Sequence, residues 1–218
     1  GFDQGFAVYH DPLERLPDQL DWRDERPASA VIDDALATLS TATGPTFAWV
    51  HLFDAHWPYK PPEPFLSRHE GRPYDGEIAY ADKELGRLLT WWDDRFPDSI
   101  VVLTADHGEA IGEGGEQTHG FLLHDGTIRV PLILRGPGID AGGVVDTPVS
   151  HVDIAPTVLA LAGIPLHEGM EGKDLRTGGS GRAYSEALTG QFNLGLAPLS
   201  AVTELNGRYT EGGYGAWY

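Results

Sequence analysis

Three short apolar runs, at 46–53, 99–103 and 130–134, alternate with stretches of helical periodicity, and this alternation constrains the fold more than any other feature of the chain. Each run is too short for a helix and reads as apolar on both faces, the pattern of a strand buried within a parallel sheet. Between them, Pro27 stands at a first helical position, followed by Val31, Ala35, Leu36 and Leu39 at helical spacing, and Gly44-Pro45 ends that helix. From Asp75 onward Ile78, Ala81, Leu85, Leu88, Leu89 and Trp92 define an amphipathic helix. A further helix is expected over 153–162, with Pro156 in its first turn and Gly163 closing it. Strands alternating with helices predict an α/β fold with a mostly parallel sheet covered on both faces.

The ends of the chain read differently. Residues 1–26, with Pro12 and Pro17, are expected to be loop. Past the flexible run 177–181, the segments 183–186, 199–205 and 208–209 read as antiparallel strands, with Asn206-Gly207 as a tight hairpin turn. The expected division is therefore an α/β domain over 1–178 and a small antiparallel subdomain over 179–218.

Composition bounds the function. A hydrophobic content of 41% and six tryptophans exclude a disordered chain. A formal net charge of −18, with Lys60, Lys83 and Lys173 as the lysines, argues against nucleic acid and anionic membranes, which require basic clusters. The chain has no cysteine, so disulfides, thiolate metal sites and Cys nucleophiles are excluded within it. No run approaches the roughly 18 apolar residues of a membrane helix. An opening at Gly1 without Met suggests a fragment or processed product, so the absence of a signal segment says nothing about location.

The chemistry gathers at the ends of the apolar runs, where open α/β sheets hold ligands. Ser99 to Leu103 leads directly into Thr104-Ala105-Asp106-His107-Gly108-Glu109, and Gly112, Gly114 and Gly115 allow the following loop to wrap a site. A carboxylate and an imidazole desolvated side by side call for a partner, and a divalent cation is one. The alternative is that Asp106 caps a short helix, with Glu109 three residues on in capping-box spacing. The run 46–53 delivers Asp54-Ala55-His56-Trp57-Pro58-Tyr59, and the prolines at 58, 61, 62 and 64 force an extended loop. His51, inside the run, reads as a core histidine, and His10, His69, His124 and His167 as surface residues. Asp33-Asp34 and Asp93-Asp94 read as solvated helix ends and Asp153 as a helix cap.

Three segments in order resemble the C-terminal part of the catalytic domain of the sulfatases, within the alkaline-phosphatase superfamily. They are His51-Leu52-Phe53-Asp54-Ala55-His56-Trp57-Pro58-Tyr59, then Asp106-His107-Gly108-Glu109 with Thr118-His119-Gly120, then Val152-Asp153-Ile154-Ala155-Pro156-Thr157. Tyr74 to Tyr80 and Arg129-Val130-Pro131 fit the same pattern, so the resemblance covers nearly the whole chain. It implies an alkaline-phosphatase-like α/β/α sandwich and a sulfuric-ester hydrolase using one divalent metal. Calcium is usual, with manganese or zinc as alternatives because imidazole suits them better than calcium. It also implies a formylglycine nucleophile made within a Cys/Ser-x-Pro-x-Arg motif. That motif and the family's N-terminal carboxylate ligands are missing from these residues and are expected in the N-terminal part of the parent.

Residue by residue, Asp106 and His107 match the family's metal-binding pair, where members often carry Asn at the second position. His56 matches the histidine that contacts the sulfate and the leaving-group oxygen. His119 matches a Lys or His that touches the substrate anion. Asp54 closes a strand beside the site, where either substrate binding or a hydrogen bond to the following turn accounts for it. The chemistry agrees: a departing alkoxide needs charge neutralisation by a hard cation and a proton donor near the bridging oxygen. The resemblance implies a small-molecule or glycan sulfate ester as substrate and a periplasmic or secreted location. Competing readings are a phosphodiesterase or phosphonate monoester hydrolase of the same superfamily, and a non-catalytic module retaining the fold.

Overall fold

The structure, a computed structural model, describes residues 2–11, 26–212 and 215–217. Pro12 and Pro17 of the expected N-terminal loop lie outside the described residues. The chain forms two compact units, Gly1–Arg95 and Phe96–Tyr218.

In the first unit, helix α1 (Ala28–Leu39) begins after Pro27, whose φ of −64° sets the entry and which serves as the cap rather than the first helical residue. Ala28, Ile32 and Leu39 are its buried positions. The short α2 (Phe65–Arg68) follows the prolines, and α3 (Pro73–Arg95) is the long amphipathic helix expected from Asp75 onward. Ile32, Leu39 and Leu88 form the core between α1 and α3, joined by Leu85, Trp91 and Trp92.

The run 46–53 is extended but is not assigned to a strand. Ala48, Val50 and Leu52 pack onto the α1–α3 core, whereas Phe47 (72% exposed) and Trp49 (60%) point outward, touched by Phe6 and Phe2 at ring distances of 5.8 and 6.1 Å. The alternation is that of a strand with one packed face, because within this unit the helices cover one side of it. His51 falls on the outward face and is exposed, not a core histidine as its place in the run suggested.

In the second unit, β1 (Val101–Thr104) and β2 (Leu132–Arg135) are the expected second and third runs, but they pair antiparallel, with Val101 opposite Arg135 and Thr104 opposite Leu132. Between them lie a glycine-rich loop and the four-residue α4 (Asp125–Ile128), with no long crossover helix to return the chain in the same direction. The C-terminal sheet is likewise antiparallel, in the order β3 (Arg182–Ala187), β4 (Leu199–Glu204), β5 (Gly207–Gly212), β6 (Gly215–Trp217), with α6 (Thr189–Leu194) between β3 and β4. The observed architecture is thus α/β with small antiparallel sheets, and the mostly parallel sheet expected from the alternation is not formed by the described strands. Glu204 pairs with Gly207, so the hairpin turn is Leu205-Asn206, one residue before the expected Asn206-Gly207.

Helix α5 (Ile154–Leu161) starts where expected, with Pro156 buried in its first turn. Asp153 is fully buried and does more than cap. One oxygen accepts the Lys173 amide (2.8 Å), and the other accepts the amides of Ser150 (3.0 Å) and Ser180 (3.3 Å) and the Ser180 hydroxyl (2.8 Å). Burial pushes this carboxyl up, but those donors outweigh it and hold it below the ordinary carboxylate range. Asp153→Asn is therefore expected to cost about 2–4 kcal/mol of stability, read as a lowered Tm at neutral pH. A depressed folded-state pKa contributes stability that is present above the unfolded value of about 3.9 and is lost as pH falls through the folded value. The difference between wild type and variant should close in strongly acidic buffer, and a difference unchanged across that titration would contradict the role assigned to the carboxylate.

Candidate functional site

In the first unit the loop 54–64 is fixed by the opening turns of α3. Gly76 lets that loop lie flat on the helix: a Cβ there would stand 2.8 Å from Pro61 Cγ. Glu77, buried, accepts the Lys60 amide, and Tyr80 accepts the Ser29 amide at 3.1 Å and donates to its hydroxyl at 2.8 Å, tying α3 to α1. The loop so held carries Asp54, partly buried, and His56. The His56 ring stacks on Phe53 at 4.3 Å and 28°, and its Nδ1 donates to the Trp57 carbonyl at 2.7 Å. That bond fixes the ring orientation.

The second unit presents Asp106, His107 and His119 on the loop that leaves β1. No helix follows Asp106, so the capping alternative does not hold; its Oδ1 accepts the adjacent His107 amide at 2.9 Å. Its side chain is 73% exposed, and desolvation does not act on it as the sequence argument supposed. The shielded carboxylates here are Glu116, which is buried, and Glu109, whose side chain is 7% exposed. Glu109, read from sequence as a capping partner, accepts from Nδ1 of His119 at 2.7 Å across ten positions of chain. The His119 ring stacks on His107 with centroids 3.8 Å apart. One donor atom from each of His107, Glu109 and His119 falls within 4.8 Å of the others.

Backbone pairing brings these residues together. The Gly108 amide donates to the Thr127 carbonyl (2.8 Å) and the Ala110 amide to the Thr118 carbonyl (2.8 Å), which lays the limb carrying His107 and Glu109 beside the limb carrying His119. Glu116 accepts the amides of Phe121 (2.8 Å) and Leu122 (3.2 Å). His124, expected at the surface, is partly buried: its Nδ1 accepts the Gly126 amide to cap α4, and its Nε2 lies 3.4 Å from Glu116. From the C-terminal sheet, Arg208 bonds Asp125, and that bond holds the Asp125 carboxyl below its ordinary range against the opposing effect of burial. Nothing in the local sequence pattern marks Glu116 or His124; Glu109 is marked by its place after Asp106-His107-Gly108, but not its partner.

The motif implies a divalent metal. Asp106 Oδ2 and His107 Nε2 lie 3.4 Å apart, a separation that two neighbouring ligands of one ion adopt. They fit a divalent ion as part of its shell. Calcium takes six to eight oxygens, and this pair supplies one carboxylate and one imidazole.

The sulfatase family model matches residues 1–164, and the chain belongs to the sulfatase family. The choline-sulfatase of Rhizobium meliloti (strain 1021) is 39% identical over 103 residues, which are 46% of this chain and 20% of that protein. The match thus spans about one fifth of the relative's length. Among solved structures, BT1596, a 2-O GAG sulfatase, aligns with 96% of this chain and 58% of its own at 17% identity and a TM-score of 0.55. The phosphonate monoester hydrolase SpPMH from Silicibacter pomeroyi aligns with 64% of this chain and 32% of its own at 24% identity and a TM-score of 0.54. At these identities the likeness is one of fold alone.

Gly108 is the steric keystone of the paired limbs, since a Cβ there would lie 2.2 Å from the Gly126 carbonyl oxygen. Gly108→Ala is expected to force the limbs apart at a cost of about 1–3 kcal/mol, seen as a lowered Tm. Gly86→Ala on the exposed face of α3, where a Cβ meets nothing within 4 Å, should instead raise stability by about 0.5–1 kcal/mol. Equal Tm values for the two variants would remove the packing argument for Gly108.

Proposed function

We propose that this chain supplies part of the active site of a sulfuric-ester hydrolase acting on a small-molecule or glycan sulfate ester. The observation that carries the reading is the meeting of Asp106, His107 and His119 on the loop after β1, in a chain that the sulfatase family model matches over residues 1–164. Names among the similar proteins, choline-sulfatase and 2-O GAG sulfatase, span both substrate sizes.

In this reading Asp106 and His107 hold the divalent metal, calcium by family habit. When bound, it would neutralise charge developing on the sulfate oxygens. His119, its Nδ1 fixed by Glu109, turns its other nitrogen toward the substrate anion. His56, its Nδ1 fixed by the Trp57 carbonyl, gives the Nε2 proton to the leaving-group oxygen. Asp54 binds substrate beside it. The nucleophile is a formylglycine from a Cys/Ser-x-Pro-x-Arg motif outside these 218 residues. The reading carries with it the full α/β/α sandwich with a mostly parallel sheet. In it, residues 1–178 belong to the catalytic domain and residues 179–218 to a small C-terminal subdomain.

The 218 residues alone are expected to show no aryl sulfate turnover above a His56→Ala control. In a polypeptide that also carries the nucleophile motif, His56→Ala and His119→Ala should each lower kcat/KM on an aryl sulfate by about 10²–10⁴-fold. An aryl phosphate or phosphonate ester turned over in preference to the sulfate would replace the sulfatase reading with its phosphoryl counterpart. Turnover by the 218 residues themselves would show that the nucleophile lies within them.

A further inference from the structure

We propose that His107, Glu109 and His119 form a binding site for a borderline transition-metal ion, zinc above all, which shares His107 with the Asp106–His107 pair but adds Glu109 and His119 in place of Asp106. The family resemblance does not assign Glu109 to a metal, and it assigns His119 to the substrate anion. The three side chains nevertheless offer one donor atom each within 4.8 Å.

The donor chemistry selects the ion. Two imidazoles and one carboxylate are the set that zinc takes when a fourth position stays open, whereas calcium requires a cage of oxygens. The placement suits capture as well. Glu109 is 7% exposed and forms the floor, while His119 (30%) and His107 (41%) stand at the rim, open to an arriving ion. Zinc bonds of about 2.0–2.1 Å put neighbouring ligand atoms about 3.3 Å apart, so the rim histidines must close inward from their present spread. Rotation of these two partly exposed rings is the movement required, and for His107 it trades the bond from Nδ1 to the Gly108 carbonyl (2.9 Å) for the metal. The limbs beneath are already joined, by Gly108 to Thr127 and by Ala110 to Thr118, so the ligand-bearing segments are in register before any ion binds. Binding through Nδ1 would replace the hydrogen bond from His119 to Glu109 with metal bonds, the ring then carrying its proton on Nε2.

His107 belongs to both ligand sets, and one imidazole nitrogen binds one ion. Zinc on the triad therefore competes with an ion held by Asp106 and His107. Given the sulfatase reading, it also withdraws His119 from the substrate anion.

The test is a titration of zinc into the 218-residue chain against a chromophoric chelator, with circular dichroism confirming that each variant is folded. One equivalent is expected to bind, and Glu109→Gln and His119→Ala should each weaken it by about tenfold or more. Asp106→Asn should weaken it less than either of these does, because Asp106 is not among the three ligands. If Glu109→Gln does not fold, His119→Ala at the exposed rim decides alone. Wild-type affinity in His119→Ala, loss of binding in Asp106→Asn, or no saturable binding to the folded wild type would each overturn the proposal. The measurement involves no turnover, so its failure would leave the sulfatase reading standing, and failure of that reading in the ester assays would leave the zinc site standing.

Discussion

The loop between β1 and β2 depends on one buried carboxylate. This stretch has little regular structure of its own, so its amides need partners from elsewhere, and a buried amide without one costs about as much as a lost hydrogen bond. Glu116, 7% exposed, supplies both oxygens to the Phe121 and Leu122 amides, while its backbone carbonyl accepts the Gly112 amide. The turn that presents His119 is thereby closed from inside. Beneath it, Leu123 packs with Ala187 and Ala201 of the C-terminal sheet. The small sheet is thus a support for the site loop rather than an appendage.

Much of this was legible in the sequence, and the failures have physical causes. Helices α1, α3 and α5 and strands β1 and β2 lie where periodicity and punctuation put them, because those signals are local. Strand direction is not local: apolar runs report that a segment is buried but not which neighbour it pairs with, and β1 and β2 pair antiparallel. The run 46–53 misled for a related reason. Its outward residues Phe47 and Trp49 are as apolar as its inward ones, so composition could not distinguish a packed face from an exposed one. The place of Asp106 and His107 on the loop after β1 was readable from the apolar run before them. The pairing of Glu109 with His119 was not, because it spans a glycine loop whose path no periodicity encodes.

Membership of the sulfatase family and the geometry of the loop bear on different questions. The family match describes what most of the chain descends from. The loop describes what these residues hold in place: a solvated Asp106 and a shielded Glu109 three positions apart, with different partners and different exposure. Among the described residues no helix is long and apolar enough to cross a membrane.

Asp153 joins points of the chain that are far apart in sequence, since Ser150, Lys173 and Ser180 all converge on its two oxygens. Gly172 seals the same junction, its backbone so near Val152 that a Cβ would stand 1.8 Å from the Val152 carbonyl oxygen. The exposed residues 162–171 therefore hang from a base that is locked independently of them. A lobe of this kind can lengthen at low cost, because each doubling of a flexible loop adds only about 0.6 kcal/mol of closure entropy. New surface can be added at that place while helix α5 and the C-terminal sheet on either side stay in register.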